Sequence, residues 1–295
     1  MVKAGMNFTS EITSAPPLSD SQRNALITLL ADDDPSVYET IRAKLLSYGP
    51  EIVVWLKPHL LSGDPLLRRR AQALVDHFAR QTADTNFLAF VLRQGEEFDL
   101  EHSIWLLAKT EYPGVNEQAY GALLDSYSNE LRGRIDLNGD AEQIIAHMNE
   151  YLFSELGFRG NEEDYYDPEN SYLNRVIDRK LGNPISLSMV YIMVARRLQL
   201  PVTGIGLPGH FICRFQSSKE EIYIDPFNRG KLLTKVDCVK YLLQTNHTLE
   251  EGHLLPVSAR RVLLRICANL HQIYTTLEQS ERMSRFQRYL VALAK

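Results

Sequence analysis

The feature that most constrains the fold is the run from Ile185 to Ala195. Ile185, Leu187, Met189, Val190, Tyr191, Ile192, Met193, Val194 and Ala195 together cover every face of a helix. A helix apolar all round is buried all round. The rest of the chain must therefore pack around this element on all sides. Its ends are marked. Asn183 is an N-cap type, and Pro184 suits the first helical position, where no amide partner is needed. Arg196 and Arg197 place cations at the negative end of the helix dipole, and Pro201 bars continuation.

Short strand-like runs follow. Residues 202–207 and 211–215 predict strands around a Pro208-Gly209 turn, and residues 221–225 predict a third. The second and third read as a hairpin across residues 216–219. His210 stands at the mouth of one strand, and Asp225 ends the next before Pro226. If the strands pair, both side chains lie at the same end of the sheet. A carboxylate beside an imidazole holds one tautomer and stabilises the charged form, which is the orienting half of a catalytic triad. The bland reading of the same residues is a turn-capping aspartate and a half-buried strand histidine.

The positive end of the buried helix would stabilise a thiolate. No cysteine is there. Ser186 carries the only side-chain nucleophile of that first turn, and a helix-start hydrogen bonder is the competing account of it. The three cysteines, Cys213, Cys238 and Cys267, are widely spaced and show no metal-ligand pattern. They predict free thiols in a reducing compartment.

Elsewhere the patterning is helical. Residues 1–18 read as a flexible leader. Ser19 and Gln22 form a capping-box pair ahead of a helix from about Asp20 to Ala31. Asp34-Pro35 and, thirty residues later, Asp64-Pro65 each start a helical segment after a Leu-Leu pair. This echo fits two HEAT-type helix pairs or an irregular helical bundle. No strand is predicted before Gly157. Residues 141–156, 171–180, 236–243, 260–277 and 284–294 predict further helices. Five carboxylates between Glu162 and Glu169 miss the calcium-loop template and read as a surface loop. The basic runs 68–70, 196–197 and 260–261 read as solvated helix faces.

Several blocks carry a family resemblance: residues 164–174 (Asp-Tyr-Tyr-Asp-Pro-Glu-Asn-Ser-Tyr-Leu-Asn), Gly182-Asn-Pro-Ile-Ser186, Ala195-Arg-Arg-Leu198 and Gly206-Leu-Pro-Gly-His-Phe-Ile212. Together they resemble a bacterial transglutaminase-like family. Its members are often named after the Sir operon's first B protein and commonly end in tetratricopeptide-type helices. A related domain occurs in some eukaryotic F-box proteins. The resemblance implies a papain-type α+β core in which a cysteine at the start of a central helix is the nucleophile. A histidine and an aspartate on adjacent strands complete the triad. It places His210 at the histidine and Asp225 at the aspartate. The cysteine's place falls at about Pro184, beside Asn183, so the chain lacks that nucleophile, as the subfamily does.

The expected architecture is thus α+β and mostly helical. A leader (1–18) and a helical region (19–138) precede a transglutaminase-like core (139–256) with a small antiparallel sheet. Helices like a truncated tetratricopeptide tail (257–295) follow. The expected function is a non-catalytic scaffold that binds a protein partner. The alternative is a hydrolase or acyl-transfer enzyme using His210 and Asp225 with Ser186 or an activated water. No cofactor or metal is expected. A net charge of −5 gives no pull toward nucleic acid, and no run of 18 apolar residues would span a membrane, so a cytoplasmic protein is expected.

Overall fold

The computed structural model describes residues 18–137, 139–246 and 251–295. Apart from Leu18, the expected leader lies outside the described residues. The chain divides into two compact units, Met1–Thr82 and Ala83–Lys295.

In the first unit, α1 (Asp20–Leu30), α2 (Pro35–Ser47), α3 (Val53–Leu56) and the start of α4 (Pro65–Arg93) enclose a small core. Their starts follow the local chemistry. The Ser19 hydroxyl accepts from the Gln22 amide, while the Gln22 side chain accepts from the Ser19 amide at 2.9 Å. Asp34 accepts from Ser36 N and Asp64 from Leu66 N, each at 2.8 Å. Ile27, Leu30, Leu45, Leu56, Leu74 and Phe78 fill the interior. The second Asp-Pro start opens a single helix of 29 residues. No glycine or proline falls between Pro65 and Gly95 to interrupt it.

The second unit holds α5 (Leu100–Lys109), α6 (Glu117–Arg132), α7 (Ala141–Asn149), β1 (Arg159–Gly160), α8 (Leu173–Arg179), β2 (Leu181–Gly182), α9 (Pro184–Arg197), β3 (Val202–Ile205), β4 (Ile212–Gln216), β5 (Glu221–Asp225), β6 (Lys231–Leu233), α10 (Lys235–Gln244), α11 (Ala259–Thr276) and α12 (Ser280–Leu293). Strands β3 to β6 form an antiparallel sheet in sequence order, and β1 pairs with β2 in parallel. The fold is α+β and mostly helical.

Helix α9 is the centre of this unit. Every residue from Pro184 to Ala195 is buried. α6, α8, α11, β3 and β4 pack around it, as an all-round apolar helix demands. Its polar C-terminus is tied down by Arg197, which grips Glu101 with two nitrogens at 2.8 Å and Asp125 with a third at 2.6 Å. Arg132 donates to the Arg197 carbonyl at 2.7 Å.

The basic runs are not simply solvated faces. Arg197 is one exception, and Arg70, which donates to the Leu30 carbonyl at 2.9 Å, is another. Arg260 is buried, and its guanidinium donates to the carbonyls of Val91 and Gln94 at the end of α4 and of Leu293 at the end of α12. A planar fork of donors satisfies several orphan helix-end carbonyls at once.

Other elements were not legible as predicted. The helix expected over residues 141–156 is α-helical only to Asn149 and continues as a π-helical turn, Glu150–Glu155. The wider turn lets three successive side chains, Tyr151, Leu152 and Phe153, all be buried. Strands β1, β2 and β6 have two or three residues each, too few to display an alternation. β6 forms because the chain turns back directly after Asp225, pairing Asp225 with Lys231. Gly230 completes that turn at φ 74°. A Cβ there would lie 2.4 Å from Asn149, whose side-chain amide donates to the Gly230 carbonyl at 2.8 Å.

Candidate functional site

The site is assembled from the start of α9, the loop before β4, and the end of β5. At the helix start, Asn183 Oδ1 accepts from Ser186 N and Ser186 Oγ accepts from Asn183 N, both at 3.0 Å. This reciprocal cap satisfies two donors at once. Asn183 also donates to Ser171 Oγ at 2.9 Å, and Ser186 donates to the Asn170 carbonyl at 2.6 Å. Pro184 then takes the first helical position without needing an amide partner.

Register places the other two residues. Cys213 pairs with Ile224 across β4 and β5, so His210 and Asp225 fall at the same end of the sheet. Gly209 turns the chain into His210 at φ 72°. The Tyr241 hydroxyl donates to the Pro208 carbonyl at 3.1 Å and fixes this loop from α10. Tyr241 and Phe227 flank the imidazole with ring centroids 5.9 and 6.2 Å away.

His210 Nε2 lies 2.8 Å from Asp225 Oδ2. Among the described residues Asp225 also accepts from the amides of Phe227 at 3.1 Å and Asn228 at 3.3 Å, and from the Asn228 side chain at 2.8 Å. Burial disfavours its charge. The hydrogen bond and charge of His210, together with Asn228, outweigh that cost and hold the carboxyl below the usual range. An ionised carboxylate only accepts, so Nε2 carries the hydrogen and neutral His210 keeps its lone pair on Nδ1. Nδ1 has no hydrogen-bond partner among the described residues.

Two cavities, of about 540 and 290 Å³, meet at this imidazole, and Tyr165, Pro184 and His210 line both. His210, Asp225 and Pro184 therefore share one cleft. Ser186 lines neither cavity. Its hydroxyl is buried in the cap it builds. Cys238 lines the larger cavity, with burial pushing its thiol up to about 11. Cys213 and Cys267 are fully buried, and burial raises both thiols. Among the described residues no three His, Cys, Asp or Glu side chains cluster as metal ligands would.

Sequence reasoning missed four contributors. Tyr165 comes from the acidic segment read as a surface loop. Asn228 had a partial signal, because an aspartate before a proline marks a turn in which its carboxylate accepts from the amides just beyond, and this brings residue 228 beside it. Tyr241, which lines the larger cavity from α10, and Arg265, which lines the smaller one from α11, lie on helices whose faces gave no hint of a cleft.

A central buried helix whose start meets a His–Asp pair at the end of an antiparallel sheet defines a transglutaminase-like core. The family model described as "Transglutaminase-like superfamily" matches residues 118–268. The chain belongs to that superfamily. A UPF0162 protein of Xylella fastidiosa is 36% identical over 197 residues, covering 64% of this chain and 70% of the relative. A UPF0162 protein of Pseudomonas aeruginosa is 26% identical over 178 residues, covering 59% and 64%. F-box only protein 21 of Homo sapiens is 36% identical over 179 residues, covering 58% of this chain but 27% of the relative. No solved structure matches the chain.

Proposed function

We propose that this protein is a non-catalytic member of the superfamily whose cleft binds a segment of a protein partner. The observation that carries this reading is Pro184. It stands at the helix-start position that the family resemblance assigns to the nucleophile, in the same cleft as His210. Proline has no nucleophilic side chain. Ser186, two residues on, is turned into its capping hydrogen bonds. Cys213 and Cys267 are buried, and the Cys238 thiol is held protonated at neutral pH. Covalent acyl transfer needs a nucleophile within reach of its base. In the human F-box only protein the matched stretch is about a quarter of the chain, which fits a domain carried within a longer protein.

One observation favours a second reading. The lone pair of His210 Nδ1 is unpartnered among the described residues beside an open cleft, so it could take a proton from water. A positioned general base supplies only about 10²–10⁴-fold, against the roughly 10⁶-fold or more of an enzyme. The test is labelling with serine- and cysteine-reactive probes on wild type and His210→Ala. The binding reading expects no labelled residue in the cleft. Labelling of Ser186 that disappears in His210→Ala overturns it.

A further inference from the structure

The smaller cavity holds a cation with no counter-ion. Arg265, on α11, makes no hydrogen bond or ion pair among the described residues. Other partly buried arginines of this unit contrast with it. Arg179 pairs with Asp167, Arg197 with Glu101, and Arg282 and Arg285 with Glu111. A guanidinium withdrawn from water is costly unless it is paired. The cost at Arg265 is visible as a pKa pushed down by burial. The ionisable groups that act against this are the phenols of Tyr165 and Tyr241, not a carboxylate.

The local geometry keeps the charge there. The guanidinium carbon lies 5.6 Å from the centroid of the Phe211 ring, a cation–π distance. A Cβ on Gly206 would stand 3.4 Å from Arg265 Nη1. That is an ordinary van der Waals distance, so Gly206 lies directly beside the guanidinium. Asn269 and Gln272, one and two turns along the same face of α11, line the cavity with Arg265 and add amide donors. Tyr166, 64% exposed, forms part of the same wall. Across the shared His210, the larger cavity carries Lys231 and Lys240. Its aspartates are engaged, Asp225 with His210 and Asp237 with Thr234.

We propose that Arg265 is the receptor for a carboxylate side chain on an extended peptide lying in the His210 cleft, with Asn269 and Gln272 as auxiliary donors. This rests on the peptide-binding reading above and names the chemistry of what is bound. A guanidinium fork matches a carboxylate with two parallel hydrogen bonds. The occupant would supply the missing counter-charge. Two cavities that share Tyr165, Pro184 and His210 give a ligand room on both sides of the imidazole, which suits an elongated occupant.

The test is selection of random heptapeptides displayed on phage against the full chain, its Arg265→Gln variant and its Arg265→Glu variant. Thermal melting of each checks that it is folded. Wild type is expected to enrich Asp or Glu at one fixed position by about ten- to a hundredfold, the range for a charge-assisted hydrogen bond. Arg265→Gln should lose that preference while keeping the rest of the consensus. Arg265→Glu should exchange it for Lys or Arg, a result that misfolding cannot produce. A consensus with no acidic position overturns the Arg265 assignment and leaves peptide docking standing. Absence of any consensus from folded wild type overturns both.

Discussion

His210 donates through Nε2 to Asp225 Oδ2 at 2.8 Å, and Asp225 in turn gathers two amides and the Asn228 side chain. The imidazole is thereby held in the cleft that Pro184 also lines. The pair has a triad's orienting geometry.

That arrangement makes acid stability depend on Asp225. Its folded pKa is depressed, so its stabilisation is complete above the ordinary carboxylate value of about 3.9 and is lost as pH falls through the lower folded value. Urea unfolding of wild type and Asp225→Asn between pH 3 and 7 should show the largest difference at pH 6–7, about 1–3 kcal/mol. The gap should begin to narrow once pH falls below about 3.9. A difference independent of pH would remove the carboxylate's charge from the account.

Pro184→Cys is expected to create a reactive thiol. The first turn of α9 offers a positive dipole end, and His210 lines the same cavity. Such thiols titrate at roughly 3.5–7.5 rather than about 8.5. Alkylation by iodoacetamide at pH 6.5, located by mass spectrometry, should be fast at residue 184 and slow at Cys238. Adding His210→Ala should slow it. An alkylation midpoint near the ordinary thiol value, unchanged by His210→Ala, would show that residue 184 does not face the imidazole.

Ser186→Ala removes half of a reciprocal cap and the bond to Asn170. A loss of about 0.5–2 kcal/mol is expected in chemical denaturation. Peptide binding in the cleft should be retained if the protein remains folded, because Ser186 does not line it. Loss of binding from a fully folded variant would assign Ser186 a functional role.

Gly230→Ala tests the turn that carries β6. The residue sits at φ 74° with Asn149 where a Cβ would go. Destabilisation of about 1–3 kcal/mol is expected from backbone strain, with more from the clash. A melting temperature equal to wild type would mean that the turn is not closed in this way.

Much of the helical framework is readable locally. Ser19, Asp34-Pro35, Asp64-Pro65 and Asn183-Pro184 start helices because a side-chain oxygen or a proline solves the problem of orphan amides within one turn. The burial of α9 follows from its composition alone. His210 and Asp225 could be placed at one sheet end because hairpin register is a short-range property.

What the tertiary structure alone decided lies between residues distant in sequence. Tyr165 meets Phe227 and lines the cleft with His210, although its own segment looks like a solvated acidic loop. Arg260 and Arg265 stand five residues apart on α11 and look alike in sequence. One is satisfied by the carbonyls of α4 and α12, and the other faces a cavity without a partner among the described residues. Side-chain type and helix periodicity are local. Whether a buried charge meets a counter-charge depends on which elements the fold brings against it, and that is settled only when the chain has packed around α9.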